Sequence, residues 1–279
     1  MTMEKKTLLT DSPDAIGLIS KITNICYKHQ LNIVHNNEFV DNTNKQFFMR
    51  TELEGYFNDK TFLADLDHAL PTGSHRRLIS SERKRIVIMV TKEAHCIGDI
   101  LVKAYDGTLD VDIAAVVGNY DTLGKLTEKF DIPFHHVSHE GLTREEHEDE
   151  MLACIKQYEP NYVVLAKYMR ILTPEFVAAL PHQIINIHHS FLPAFIGAKP
   201  YLQAFERGVK IIGATAHFVT NDLDEGPIIT QNVIPVDHNF SAKDMARSGR
   251  DVEKSVLSKA LGLVVDDRVF VHGNRTIIL

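Results

Sequence analysis

From Arg85 onward, short apolar runs alternate with stretches of helical pattern. The runs are 86–91, 111–118, 134–137, 162–166 and 184–187. Such alternation predicts a mostly parallel sheet that is covered by helices on both faces. Ligands of these sheets gather at the carboxyl ends of the strands. Two later runs, 211–219 and 228–236, predict strands around the Asp224 loop, and a helix over 242–263 precedes two short strands, 268–271 and 276–279.

The N-terminal part has a different order of elements. Residues 5–80 read as strand, helix, strand, strand, helix, strand. Asp14 leads the first helix, whose apolar positions follow the three-and-four spacing of one buried face. A polar, basic stretch over 71–85 then mixes a last strand with a linker. We therefore expect two domains, 1–82 and 83–279.

Composition and charge exclude several classes of function. The chain of 279 residues is 44% hydrophobic and 24% charged, as soluble globular proteins are. A formal charge of -7 argues against a nucleic-acid partner. No apolar stretch approaches the roughly 20 residues that span a bilayer, and the N-terminus lacks a secretion signal. Three widely spaced cysteines favour a reducing, cytoplasmic location.

One short segment concentrates polar side chains at the end of an apolar run. Asn186 and His188 stand two residues apart, so an extended strand points both to the same side. Asp224 lies in a turn that Gly226 and Pro227 close. An amide, an imidazole and a carboxylate can together polarise a carbonyl, move a proton and orient water. This set suits formyl transfer or formyl hydrolysis.

Each of these side chains also has a structural alternative. Asn186 is the candidate donor to the oxyanion, but a turn asparagine also binds its own backbone. His188 is the candidate acid/base group, although a lone histidine at a strand end is usually structural. Asp224 is the candidate partner of His188 and holder of the water, yet aspartate is common before Gly-Pro. His217 is expected to support the Asp224 loop.

Longer motifs resemble a known family. The segments 165–172, 185–193 and 217–228 resemble the formyltransferase fold of folate-dependent formyl enzymes. Residues 11–18 resemble the opening of an ACT domain, a ferredoxin-like module that often binds small amino acids. An ACT-like segment followed by formyltransferase-like segments is similar to the formyltetrahydrofolate deformylase family. The resemblance includes residues 250–254 and 271–274 and so extends over nearly the whole chain. Tyr120 departs from it, because such proteins more often carry histidine there.

The resemblance implies a fold, a reaction and a substrate pocket. The fold is α/β, with a ferredoxin-like ACT domain before a Rossmann-like, mostly parallel sheet. The reaction is hydrolysis of 10-formyltetrahydrofolate, a substrate and not a bound cofactor, in support of purine biosynthesis and one-carbon balance. Met169, Arg170 and Leu172 match the folate-contacting segment, although a helix-capping arginine and two core residues are the alternative. The other implied pocket residues are His95, Cys96, Asn119, His189, Asn221 and Asp222.

The loop over 91–98 bears on the formyl acceptor. A transferase acting on glycinamide ribonucleotide needs a glycine-rich turn there, whose N–H groups hold the acceptor's phosphate. This chain has bulky side chains and Glu93 instead, so water is the expected acceptor, although Lys92 could still bind an anion. Formyl transfer to an amine such as glycinamide ribonucleotide remains the alternative. A non-catalytic amino-acid sensor is a second rival, against which Asn186, His188 and Asp224 speak.

Two further sites complete the sequence-based expectations. The histidines near 135–147 lack a HExxH motif, and the acids beside them read as solvated turns of a helix, so no metal is expected. Asp14 and Gly17 lie at a helix start that could hold the carboxylate of a free amino acid, with plain capping by Asp11 or Ser12 as the alternative. The resemblance implies a small amino-acid effector there and a homo-oligomer, either dimer or tetramer.

Overall fold

The computed structural model describes residues 2–195 and 199–279, which form two compact units. The first unit runs to Glu82 and also contains Asp267–Phe270 and Ile277–Leu279. The second unit comprises Arg83–Asp266 and Val271–Thr276. The predicted second domain contained the whole C-terminus, whereas the contacts divide the last two strands between the units.

The first unit has the ferredoxin-like order of elements that the sequence predicted. Its four strands form one antiparallel sheet in the order β2-β3-β1-β4, and two helices supply the other half of its core. Leu18, Ile22, Ile25 and Cys26 of the first helix are buried, as their spacing indicated. The elements are β1 Glu4–Pro13, α1 Leu18–Lys28, β2 Asn32–Asp41, β3 Gln46–Gly55, α2 Asp59–Ala69 and β4 His75–Ser80.

The start of α1 differs from the prediction. The helix begins at Leu18 and not near Asp14, because Gly17 before it has a left-handed backbone with φ 83°. The Asp14 N–H donates to Lys45 O at 2.8 Å, which holds this residue in the preceding loop. Ser12 does not cap the helix, since its hydroxyl donates to Pro13 O. Residues 14–17 are exposed as a result.

The second unit is built on a seven-stranded sheet in the order β11-β10-β9-β8-β5-β6-β7. The pairs from β9 to β7 are parallel, whereas β10 runs antiparallel to both β9 and β11. The mostly parallel sheet that the sequence predicted is therefore confirmed. The strands are β5 Lys84–Val90, β6 Val111–Gly118, β7 Phe134–His136, β8 Tyr162–Leu165, β9 Ile184–His188, β10 Ile211–Phe218 and β11 Ile228–Pro235.

Helices cover this sheet and bury its apolar strands. Residues 86–90 of β5 are all 0% exposed, which explains why the central strands read as continuous apolar runs. None of the helices in the described residues is long and apolar enough to cross a membrane. The helices are α3 His95–Tyr105, α4 Gly124–Thr127, α5 Arg144–Lys156, α6 Pro174–Ala178, α7 Pro200–Arg207 and α8 Ala242–Val265, with 3-10 turns at Asp121–Leu123 and Glu128–Phe130; β12 Val269–His272 and β13 Arg275–Ile278 form a hairpin.

Candidate active site

Strands β9 and β10 present polar side chains toward the same cleft. In their antiparallel register Asn186 lies opposite His217, and His188 lies opposite Thr215. The side chains of Asn186 and His217 meet, with Nδ2 and Nε2 3.2 Å apart. His217 Nδ1 donates to Phe218 O at 2.9 Å, so Nε2 of the neutral ring can accept from the Asn186 amide. The cross-strand pairing therefore fixes the orientation of the amide.

Asp224 reaches back from the loop between β10 and β11 to both imidazoles. Its Oδ2 lies 3.2 Å from His188 Nδ1, and its Oδ1 lies 3.6 Å from His217 Nε2. A carboxylate at Nδ1 favours the tautomer with hydrogen on that nitrogen. His188 Nε2 is buried and has no protein partner among the described residues. This nitrogen is thus the atom that remains for a bound molecule.

The charge of Asp224 is stabilised by its imidazole partners. Burial alone would raise the pKa of this carboxyl group, but the hydrogen bond from His188 and the electrostatic influence of both imidazoles lower it further than burial raises it. The pKa of Asp224 therefore lies well below its ordinary range, so this side chain is ionised at neutral pH. An ionised carboxylate at Nδ1 stabilises the positive charge that His188 acquires when it takes a proton.

The loop that carries Asp224 has a tight backbone. Asp224 has a left-handed backbone with φ 58°, and the Phe218 N–H donates to Pro227 O at 3.0 Å. A Cβ on Gly226 would lie 1.8 Å from Phe218 O, so only glycine fits there. The Gly-Pro turn of the sequence is therefore what lets the loop fold back against β10 and place the carboxylate.

A cleft of about 310 Å³ opens beside these groups. Met169 and Ile171, which are 55% and 57% exposed, give it an apolar wall. Thr91 Oγ1 accepts from the Met169 N–H at 3.0 Å and holds this segment against the loop after β5. Nine of the residues singled out from the sequence line the cleft: Met169, Arg170, Leu172, Asn186, His188, His189, Asn221, Asp222 and Asp224.

Comparisons with known proteins now place the chain in a family. The model of the formyl transferase family matches residues 84–261. A formyltetrahydrofolate deformylase of Escherichia coli strain K12 is 69% identical over 278 residues, which cover 100% of this chain and 99% of that protein. The chain belongs to the formyltetrahydrofolate deformylase family.

Solved structures agree with this membership. The crystal structure of a formyltetrahydrofolate deformylase from Pseudomonas syringae is similar with a TM-score of 0.94 and 39% identity, covering 100% of this chain and 95% of that one. A glycinamide ribonucleotide transformylase from Symbiobacterium toebii has a TM-score of 0.69 and 30% identity, but it covers only 72% of this chain and 96% of its own. The deformylases therefore match both units, and the transformylase matches a smaller part.

Three of the residues singled out from the sequence lie outside the cleft of this family member. Asn119 is 3% exposed, and its Oδ1 has no protein partner in the described part of the chain. Cys96 is fully buried, and burial raises the pKa of its thiol far above the ordinary range. His95 Nε2 lies 2.7 Å from Glu253 Oε2, away from the proposed catalytic groups. Cys96 is therefore a buried apolar group and does not line the cleft.

His189 is a neutral neighbour of His188. Its ring centroid lies 5.3 Å from that of His188 and 6.0 Å from that of Tyr201. Burial, and then the positive charge of Lys167, lower the pKa of His189 to about 4. The ring lines the cleft although alternation along a strand predicts the opposite side, because β9 ends at His188 and the chain turns there.

Sequence reasoning did not single out a buried ion pair next to the cleft. Lys167 Nζ lies 3.2 Å from Glu253 Oε2, and the two side chains are 5% and 1% exposed. The signal was Glu253 itself, a carboxylate on the apolar face of α8 between Gly249 and Leu257. Among the described residues, His95, Cys96 and Glu253 form the one group spaced for a metal ion. The ammonium of Lys167 already neutralises Glu253, so the group fits an internal ion pair and not a cation site.

Proposed function

We propose that this chain hydrolyses 10-formyltetrahydrofolate to formate and tetrahydrofolate at the Asn186, His188 and Asp224 site. The observation that best supports this proposal is the difference between the partners of the two His188 ring nitrogens. Its Nδ1 faces Asp224, its Nε2 has no protein partner among the described residues, and the residue lines the cleft. A histidine held in this way can take a proton from a water molecule and give it up again.

The three groups support a two-step mechanism. His188 Nε2 takes a proton from water while the water oxygen bonds to the formyl carbon, and Asp224 stabilises the resulting imidazolium. The Asn186 amide has a second N–H beyond the one that His217 accepts, and it donates to the formyl oxygen as charge develops. The bond from carbon to N10 then breaks, N10 receives the proton from His188, and the formic acid that forms loses its remaining proton to solvent and leaves as formate.

The cleft suits the rest of the folate molecule. Met169, Ile171 and Leu172 offer apolar surface for a flat pterin and benzoyl body. Arg170 on the same segment supplies a guanidinium for the glutamate carboxylate. Asn221 and Asp222 also line the cleft and are exposed polar groups that can bind the edges of the pterin.

The decisive experiment measures formate release from 10-formyltetrahydrofolate without any amine acceptor. We expect release by the native chain and a loss of about 10²–10⁴-fold in His188→Ala, since a positioned general base contributes this much. Glu225→Gln is the matched control, because it removes an exposed carboxylate next to Asp224 and is expected to keep full activity. Release that requires glycinamide ribonucleotide would identify a transferase instead.

We further propose that residues 1–82 form an ACT-type regulatory domain before the catalytic domain of residues 83–279. The ferredoxin-like strand order and the exposed Asp14 and Gly17 before α1 support a site for a small amino-acid effector, and a homo-oligomer. Three unpaired cysteines and the folate substrate support a cytoplasmic enzyme that serves purine biosynthesis and one-carbon balance. A panel of free amino acids tested on the full chain for shifts in Tm and formate release checks this part.

A further inference from the structure

Glu253 is the centre of a buried cluster of charged and polar side chains. Its Oε1 accepts from the Tyr201 hydroxyl at 2.6 Å. Its Oε2 lies 2.7 Å from His95 Nε2 and 3.2 Å from Lys167 Nζ. The carboxylate is 1% exposed, so these partners take the place of water around it.

The cluster continues outward as a series of alternating charges. His95 Nδ1 lies 3.5 Å from Glu93 Oε2, and Arg250 Nε lies 3.5 Å from the same oxygen. Arg250 and Glu93 are substantially exposed, whereas Lys167 at the inner end lines the cleft beside the proposed catalytic groups. Every basic side chain of this series therefore faces a carboxylate.

The position of the series is one where α/β proteins commonly bind phosphate. His95 is the first residue of α3, directly after the loop that follows β5, the middle one of the five parallel strands. Ala94 at the N-cap provides no side-chain hydrogen bond to the helix. Helix N-termini at the carboxyl ends of parallel strands attract anions, and nearby basic side chains strengthen the attraction. In this chain the Glu253 carboxylate already pairs with the basic side chains His95 and Lys167.

We propose that Glu253 acts as an internal anion that prevents phosphate from binding beside α3, and so restricts the formyl acceptor to water. The inference rests on the proposed function, because it names the residue that excludes phosphorylated amines from the same site. A phosphate approaching Lys167 or His95 meets the buried negative charge of Glu253, which is already paired with both. Repulsion between the Glu253 carboxylate and a phosphate therefore disfavours binding of a phosphorylated acceptor.

Two features keep the internal anion in place at physiological pH. Burial alone would raise the pKa of Glu253, but the hydrogen bond from His95, the charge of Lys167 and the hydrogen bond from Tyr201 lower it to about 2. Tyr201 in turn packs against Gly249, where an added Cβ would lie 2.0 Å from the tyrosine hydroxyl. The absence of a side chain at Gly249 is thus what lets Tyr201 reach the carboxylate.

The test compares phosphate binding in the native chain with that in Glu253→Gln and Glu253→Ala. Inorganic phosphate is titrated against chloride at equal ionic strength, by calorimetry and by inhibition of formate release. We expect the native chain to be insensitive, and the variants to bind phosphate at least roughly tenfold more tightly because the charge repulsion is gone. Tyr201→Phe is the matched control, since it removes one hydrogen bond but keeps the carboxylate, and it is expected to stay insensitive.

Three results would overturn the inference. They are saturable phosphate binding by the native chain, folded Glu253 variants that remain insensitive, and a Tyr201→Phe variant as sensitive as Glu253→Gln. If neither Glu253 variant folds, calorimetry on the native chain decides. Phosphate binding by the native chain would contradict the exclusion of phosphate by Glu253, and the absence of binding would support it. Failure of the native chain to release formate without an acceptor would instead reject the proposed function, and the calorimetric comparison would still stand.

Discussion

Replacement of His189 by glutamine offers a quantitative test of the electrostatics around the cleft. Burial, and then the charge of Lys167, lower the pKa of this imidazole from 6.5 to about 4. The folded chain therefore holds His189 neutral under conditions in which the unfolded chain protonates it. The stability that depends on the neutral ring is complete above the unfolded pKa and is lost as pH falls toward the folded pKa.

The two pKa values define the size and the window of the effect. A shift of one pKa unit corresponds to about 1.4 kcal/mol, and the full shift is reached only below the folded value. Between about pH 7.5 and about pH 5, the contribution of His189 to the free energy of unfolding falls by no more than about 2 kcal/mol. His189→Gln has no ring to protonate and does not suffer this loss.

Urea unfolding at the two pH values measures the difference. We expect the native chain to lose up to about 2 kcal/mol more than His189→Gln on acidification. His238→Gln serves as the control, because it removes an exposed imidazole that water solvates in both states. Parallel pH dependences of the native chain and His189→Gln would refute the assignment of a buried neutral imidazole next to Lys167.

Three other substitutions test interactions within the second unit. Asp224→Asn is expected to lower kcat by about 10²–10⁴-fold with little change in Tm, because it removes the charge that supports protonated His188; steady-state kinetics beside a melting curve checks this. Gly226→Ala is expected to lower both Tm and formate release, since its Cβ would lie 1.8 Å from Phe218 O, and unchanged values would show that the loop can shift. Glu148→Ala is expected to cost about 1–3 kcal/mol in urea unfolding without an effect on KM, because Thr173 loses the acceptor of its N–H and hydroxyl.

Local pattern predicted the strands of the second unit closely. The run at 111–118 coincides with β6, and the run at 184–187 matches β9 to within one residue. Buried parallel strands give uninterrupted apolar runs, which can be recognised in the sequence without knowing which strands lie next to them. The shared face of Asn186 and His188 followed from the period of a strand. Both side chains line the same cleft.

Features that depend on a single backbone angle or on distant partners were not accessible in this way. Apolar Ala15 after Asp14 suggested a helix led by Asp14, but the left-handed Gly17 delays its start to Leu18. The acidic run after Arg144 suggested solvated side chains, yet Glu148 is 4% exposed and accepts hydrogen bonds from Thr173. Helical spacing reports which face is apolar. It does not report that a loop 25 residues away supplies donors to one carboxylate.

The two buried carboxylates beside the cleft have different chemical consequences because their partners differ. Glu253 faces the ammonium group of Lys167, so its negative charge is balanced before any substrate arrives. Asp224 faces His188 and His217, whose rings carry a positive charge only after they take a proton. A transfer of a proton from water to His188 therefore creates a new ion pair with Asp224 and none with Glu253. In the proposed mechanism, Asp224 therefore favours protonation of His188, which is the step that hydrolysis requires.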